Sequence, residues 1–357
     1  MTLTLSPVTS ETLARIIECG ALAPSGDNLQ PWQVRFVEAG VEVSVNRARD
    51  RSLYNFQYRA SLFALGAMIE NMVIAARHYG LSAQVTMSSA GDELPAATLR
   101  FDPADQISEP LFDAIARRCT NRRPYQNRPV SADALARLGD SIPADRRSRL
   151  LFIEDRDARR RVARAASLND RTFLEIRELH DRFYESIRWT EADAERSRDG
   201  LFVRTLELGP TALAFRAMKS WLFVQTMAAL GGTRLAPMHS YQTFMRSPVF
   251  GFLQMAKDTP LDFVEGGRRM QRVWLTATSL GLSLQPMAGM LCLLPYLRSS
   301  DTSIVPKGPR ALIEKAERLF ETVLPLGAGQ APILLFRLGY GPSPSARSLR
   351  QAVEPSR

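Results

Sequence analysis

The sequence predicts an α+β fold made of two related halves, with a helical insert in the second half. Three observations predict it. The first hundred residues alternate helical and extended patterns separated by turn residues. Sliding the chain by 201 positions lays Gly66 on Gly267, Ala76 on Ala277, and Gly80, Leu81, Ser82 and Gln84 on Gly281, Leu282, Ser283 and Gln285; a repeated period is the first guide to architecture. An apolar extended run over residues 332–339 then closes the chain ahead of a tail expected to be exposed.

The elements follow in order. Residues 10–23 read as a helix, and 23–32 as a loop rich in turn formers. Residues 33–37 and 41–46 read as a hairpin joined by Glu-Ala-Gly. Over residues 60–79 apolar side chains recur at helical spacing, with small residues (Ala64, Gly66, Ala67, Ala75, Ala76) that allow close packing. Gly80 is a natural helix stop. A strand is expected over 97–101, a connector over 102–110 and a short helix over 111–116. The halves are thus placed at 1–108 and 109–357. The second carries a helical insert at about 156–266, charged to Arg198 and apolar with methionines over 206–255. That methionine-bearing stretch reads either as plain core or as a lid over a pocket.

At 357 residues the chain can hold one large core or two smaller ones. No run of 18 apolar residues is uninterrupted, and the richest segment, 213–230, is broken by Arg216 and Lys219, so no membrane span is expected. Residues 1–11 lack a basic region and an apolar core, which argues against secretion. Cys19, Cys119 and Cys292 lie far apart and histidine is scarce, so no metal site is expected and a reducing cytoplasm fits. The net charge of +9 comes almost wholly from arginine. With no zinc finger, basic zipper or aromatic RNA motif present, nucleic acid is not an expected partner, and without a span neither is a membrane; a small molecule is, and self-association stays open.

Two motifs carry the chemistry. In the loop Ala-Pro-Ser-Gly-Asp-Asn-Leu-Gln-Pro-Trp, Pro24 has no N–H and Gly26 frees the backbone. Ser25, Asn28 and Gln30 supply hydroxyl and amide groups. It reads either as a turn between helix and strand or as a grip for a flat polar ligand. In the second motif Arg117, Arg118, Cys119, Thr120, Asn121, Arg122 and Arg123 follow one another. Guanidinium forks flanking a hydroxyl suit a phosphate, although a solvated basic patch would have the same composition.

Together these motifs and the tail resemble the nitroreductase family of flavin proteins over roughly two thirds of the chain, and most of all its Acg-type branch of two fused nitroreductase-like halves. The resemblance implies a nitroreductase-like fold, an intramolecular pseudo-dimer, FMN as cofactor and NAD(P)H as co-substrate. The family's Arg-x-Ser-x-Arg segment falls on Arg118, Cys119, Thr120 and Arg122. Arg118 and Thr120 are thereby implied at phosphate and ribityl, and Arg122 at the N1 and O2 edge of the ring. The Pro-Ser-x-x-Asn loop falls on Pro24, Ser25, Gly26 and Asn28. A third loop falls on Pro286, Met287, Ala288 and Gly289, whose backbone amides are implied near N5. Of the family's closing basic pair only Arg347 remains, since Ser345 takes the other place.

Ala288 stands where the family carries glutamate, which removes one side-chain hydrogen bond. The loop at Pro24 and the motif at Arg118 each occur once, so one complete flavin site per chain is expected. An oxidoreductase passing hydride from NAD(P)H to a nitro compound or quinone is one expectation. A flavin-sequestering protein with a lid is the other. No catalytic acid or base is nominated; Tyr54, Tyr58, Tyr241 and Phe244 are candidate pocket walls.

Overall fold

A computed structural model describes residues 9–38, 40–50, 52, 54–88, 94–105, 109–299 and 305–356. Helix α1 (Ser10–Ala21) starts where the Thr9 hydroxyl accepts from Thr12 N–H at 3.1 Å, satisfying a free N-terminal donor. Strands β1 (Trp32–Val37) and β2 (Gly40–Val45) form the expected hairpin. Gly40 has φ of +136°, and a Cβ there would come within 2.2 Å of the Leu99 carbonyl, so only glycine fits.

Helix α2 (Arg59–His78) is buried at every position from Ser61 to Ala76 except Phe63, which is partly buried. By length and composition it could cross a membrane, but here it is a core helix, mostly covered by protein. Strands β3 (Leu81–Ser88) and β4 (Ala96–Pro103) complete an antiparallel sheet of order β1-β2-β4-β3.

Helices α3 (Phe112–Arg117) and α4 (Ala132–Asp140) lead to β5 (Ser148–Ile153). Next come α5 (Arg156–Glu175), α6 (Arg177–Ser186), the short strand β6 (Ile187–Arg188), α7 (Glu191–Ser197) and its partner β7 (Leu201–Phe202). Helices α8 (Ala212–Ala217), α9 (Trp221–Ala229) and α10 (Ala236–Met245) precede β8 (Val249–Met255). After them stand α11 (Pro260–Ser279), β9 (Ser283–Pro286), α12 (Gly289–Leu293), α13 (Pro295–Arg298), α14 (Lys307–Glu321) and β10 (Ala331–Gly339).

The second sheet runs β5-β8-β10-β9, again antiparallel throughout. Both sheets therefore take their strands in the order first, second, fourth, third, with a 20-residue helix between the second and third.

The 201-residue offset has a physical cause at the crossing of those two helices. A Cβ on Gly66 would meet the Val264 carbonyl at 1.9 Å, and one on Gly267 would meet the Phe63 carbonyl at 2.1 Å. The backbones thus touch reciprocally at a place where neither admits a side chain. Beside the crossing, buried Glu70 accepts from Arg268 at 3.0 Å and Arg272 at 2.7 Å, and Gln271 donates to Asn71 at 2.7 Å.

Two expectations need correcting. The helical run expected over 156–266 ends earlier, because Val249–Met255 is a central strand buried at all seven positions. A strand covered on both faces has no polar alternation, so its apolar run reads like a core helix. The tail is also less free than expected. Phe36 N–H donates to the Ser356 carbonyl at 2.9 Å and Ser356 N–H to Val34 at 3.0 Å, so the C-terminus adds to the β1 edge.

Candidate functional site

A cavity of about 540 Å³ lies where the Pro24 loop, the arginine segment, the end of β9, the insert and the tail converge. Of the thirteen residues singled out in the sequence, Pro24, Ser25, Gly26, Asn28, Arg118, Cys119, Thr120, Arg122, Pro286, Ala288, Gly289 and Arg347 all line it. Met287 does not. Its side chain is buried in the core and its N–H donates to the Leu335 carbonyl at 2.7 Å, so its amide serves the second sheet.

The loop is held in an unusual shape. Asp27, Asn28 and Gln30 have φ of +46°, +58° and +52°, a region that non-glycine residues seldom enter. Its polar side chains hold it there: Ser25 Oγ accepts from Gln30 N–H at 2.9 Å. Gln30 donates to the carbonyls of Asn28 and Arg198 and accepts from Gln351 N–H at 2.9 Å. Asn28 donates to Leu349 at 3.0 Å and accepts from Arg350 at 2.6 Å. The Asn28 and Gln30 amides, read from the sequence as ligand groups, instead fasten the loop to the tail and insert.

One end of the cavity is basic. Arg118 ends α3 with its guanidinium 4.8 Å from the Trp274 ring centre, and donates to Leu22 at 2.9 Å. Burial, then the charges of Arg350 and Arg347, pull it down to about 9 from an ordinary value of 12.5. Burial likewise pulls Arg350 down to about 10. The Nε atoms of Arg118 and Arg350 are buried without a partner among the described residues. Arg347 donates to Ala116 at 2.7 Å and also to Arg117.

Three guanidinium groups thus gather without an ion pair to any carboxylate among the described residues, an arrangement that favours an anion. Thr120 bridges to Leu284 in the same wall. Asn121 pins this segment by donating to Ser283 Oγ at 2.8 Å and Pro342 at 2.9 Å.

A second group of lining residues is acidic. Burial and neighbouring Asp50 push Asp27 up to about 6, opposed by Arg122, which donates to the Thr205 carbonyl at 3.0 Å. Burial pushes Asp170, which accepts from Ser240 Oγ, up to about 7. Tyr54 donates to Asn169 Oδ1 at 3.0 Å. Asn169 also sits where a Cβ on Gly289 would be, within 2.7 Å, so the backbone approaches closely there.

Of the candidate walls, only Tyr54 lines the cavity; Phe244 is buried in the core. Ser345 lies outside it, its N–H donating to Glu207 at 2.5 Å. Sequence reading missed Asp27, Asp50, Asn169, Asp170, Trp274 and Arg350 as lining residues. Arg350, three positions beyond Arg347, was the one with a visible signal. No cluster of three or more metal-ligating side chains occurs among the described residues.

No family model matches the chain. A Mycobacterium tuberculosis protein named "Uncharacterized protein MT1398" is 27% identical over 99% of this chain and 50% of its own length. From the same organism, "Putative NAD(P)H nitroreductase acg" is 30% identical over 52% of this chain and 56% of its own length. The chain thus spans about half the length of these curated relatives.

Among solved structures, a nitroreductase with bound FMN from Desulfitobacterium hafniense is 12% identical, with 69% of this chain and 96% of that one covered at a TM-score of 0.36. Oxidized iodotyrosine deiodinase bound to FMN and 3-iodo-L-tyrosine is 15% identical, with 68% and 96% covered at a TM-score of 0.36. Over part of its length the chain is thus similar to proteins named as putative NAD(P)H nitroreductases.

Proposed function

We propose that the chain is an FMN-dependent oxidoreductase of nitroreductase type, in which two related halves, residues 1–108 and 109–357, enclose one cofactor site. The observation that supports it best is the basic end of the cavity, where Arg118, Arg347 and Arg350 gather without a carboxylate. FMN fits these residues. The buried, unpartnered Nε atoms of Arg118 and Arg350 suit phosphate oxygens, and the cavity's volume falls within the range of about 300–1,000 Å³ usual for small-molecule sites.

When bound, the flavin supplies the redox chemistry, with hydride taken from NAD(P)H and delivered to an electron-poor acceptor such as a nitro compound or quinone. The chain's own residues bind and orient. Arg118, Arg347 and Arg350 would hold the phosphate, with the Thr120 hydroxyl as a further donor. Arg122, fixed by the Thr205 carbonyl, would supply a cation to offset negative charge on the reduced ring. Pro24, Ser25 and Gly26 form one wall, and Ala288 and Gly289 let the backbone come close on another. Asp170 can hold a proton near neutral pH.

One observation favours a second reading, flavin sequestration with little turnover: insert residues Asn169, Asp170, Phe173, Phe183 and Leu206 line the cavity and can exclude a nicotinamide. Anaerobic addition of NADPH or NADH to the FMN-loaded protein separates the two. Bleaching of the visible flavin absorbance supports the reductase; a flavin reducible by dithionite but not by either nicotinamide supports sequestration. A protein that binds no flavin contradicts both.

A further inference from the structure

The insert helices α8 to α10 carry a surface the cavity does not use. Leu213, Leu222, Phe223, Leu230, Leu235 and Met238 all stand exposed, Leu213 and Leu230 at 83% and 80%. The inward side of this region is held by Phe215, Val224, Thr233 and Phe244. Exposed apolar groups concentrated in one stretch of chain, residues 213–238, mark an interaction surface.

Charge identifies the partner. No acidic residue occurs between Glu207 and Asp258, whereas Arg216, Lys219, Arg234 and Arg246 fall within or beside α8–α10. None of these four enters an ion pair among the described residues; Lys219 lies 5.6 Å from the centre of the Trp189 ring. A second copy docked about a two-fold axis would set this basic face against itself. An anionic bilayer offers what the face lacks, acyl chains for the leucines and headgroup phosphates for the arginines.

We propose that the α8–α10 face lies on an anionic membrane surface. At six, nine and ten residues these helices are too short to span a bilayer, so they rest in its interface. This departs from the sequence expectation of no membrane partner. It is independent of what the cavity binds.

Co-sedimentation of the full chain with phosphatidylglycerol vesicles and with phosphatidylcholine vesicles tests the proposal. Binding to the anionic vesicles is expected, weakened by salt, and lowered about tenfold or more in Leu222→Glu/Leu230→Glu. Both side chains are exposed, so folding is retained, and circular dichroism checks it. Arg146→Ser/Arg147→Ser, a basic pair elsewhere, should leave binding unchanged. The proposal fails if the chain ignores anionic vesicles, if the leucine variant binds as well as the parent, or if the arginine pair matters equally. It also fails if the leucine variant only abolishes self-association seen without lipid.

Discussion

At Arg118 a guanidinium is buried with an unpartnered Nε and two other arginines nearby. Without an anion, the cost of that buried Nε is offset by the bond to Leu22 and the contact with Trp274, and a bound anion adds a partner for it. Arg118→Met should therefore weaken FMN binding by about 100-fold, corresponding to roughly 2–3 kcal/mol for a charge-assisted contact, while the melting temperature of the flavin-free protein changes little. Fluorescence titration and a thermal melt check the two halves of that statement. Asp170 gives a pH-dependent prediction. Its carboxyl is raised from 3.8 to about 7, so the folded chain holds a proton that the unfolded chain releases. Stability thus falls as pH rises between about 4 and 7. Asp170→Asn should raise the melting temperature of the flavin-free protein at pH 8, by about 2 °C or more, and leave it unchanged at pH 4.

Among the elements, the helix crossing explains why part of the fold was legible in the sequence. Gly66 and Gly267 recur at the 201-residue offset because backbone touches backbone at both places, and Gly80 and Gly281 recur because each ends its helix with φ near +70°. Gly66→Ala should destabilise by about 3 kcal/mol, since a carbonyl must move. Gly281→Ala, with open space around it, should cost about 1 kcal/mol through its backbone alone. Urea unfolding of the two variants measures the difference. Elsewhere the signal was absent. β8 lacks alternation because both its faces are covered. Met287 sits in a loop whose neighbours line the cavity, yet its amide is bound to Leu335; sequence spacing cannot reveal such a partner.

Across the whole molecule, the site draws on residues that the chain separates by more than three hundred positions, from Pro24 to Arg350. The residues with distinctive motifs, Ser25, Arg118, Thr120 and Arg347, were legible. The acidic group was not, since isolated aspartates such as Asp27, Asp50 and Asp170 acquire meaning only when folding brings them to one cavity. The tail joins the far parts. Arg350 and Gln351 bond to the Pro24 loop, and Ser356 pairs with β1. Removing residues 349–357 should therefore weaken FMN binding at least as much as Arg118→Met, which equilibrium dialysis would show. Because the loop and the arginine motif each occur once, one such site per chain is the expectation. The most direct test is the ratio of FMN to protein after saturation and gel filtration, read from flavin absorbance and quantitative amino-acid analysis. One FMN per chain, lost in Arg118→Met, is the predicted result. Two per chain, or none retained by the parent protein, would contradict it.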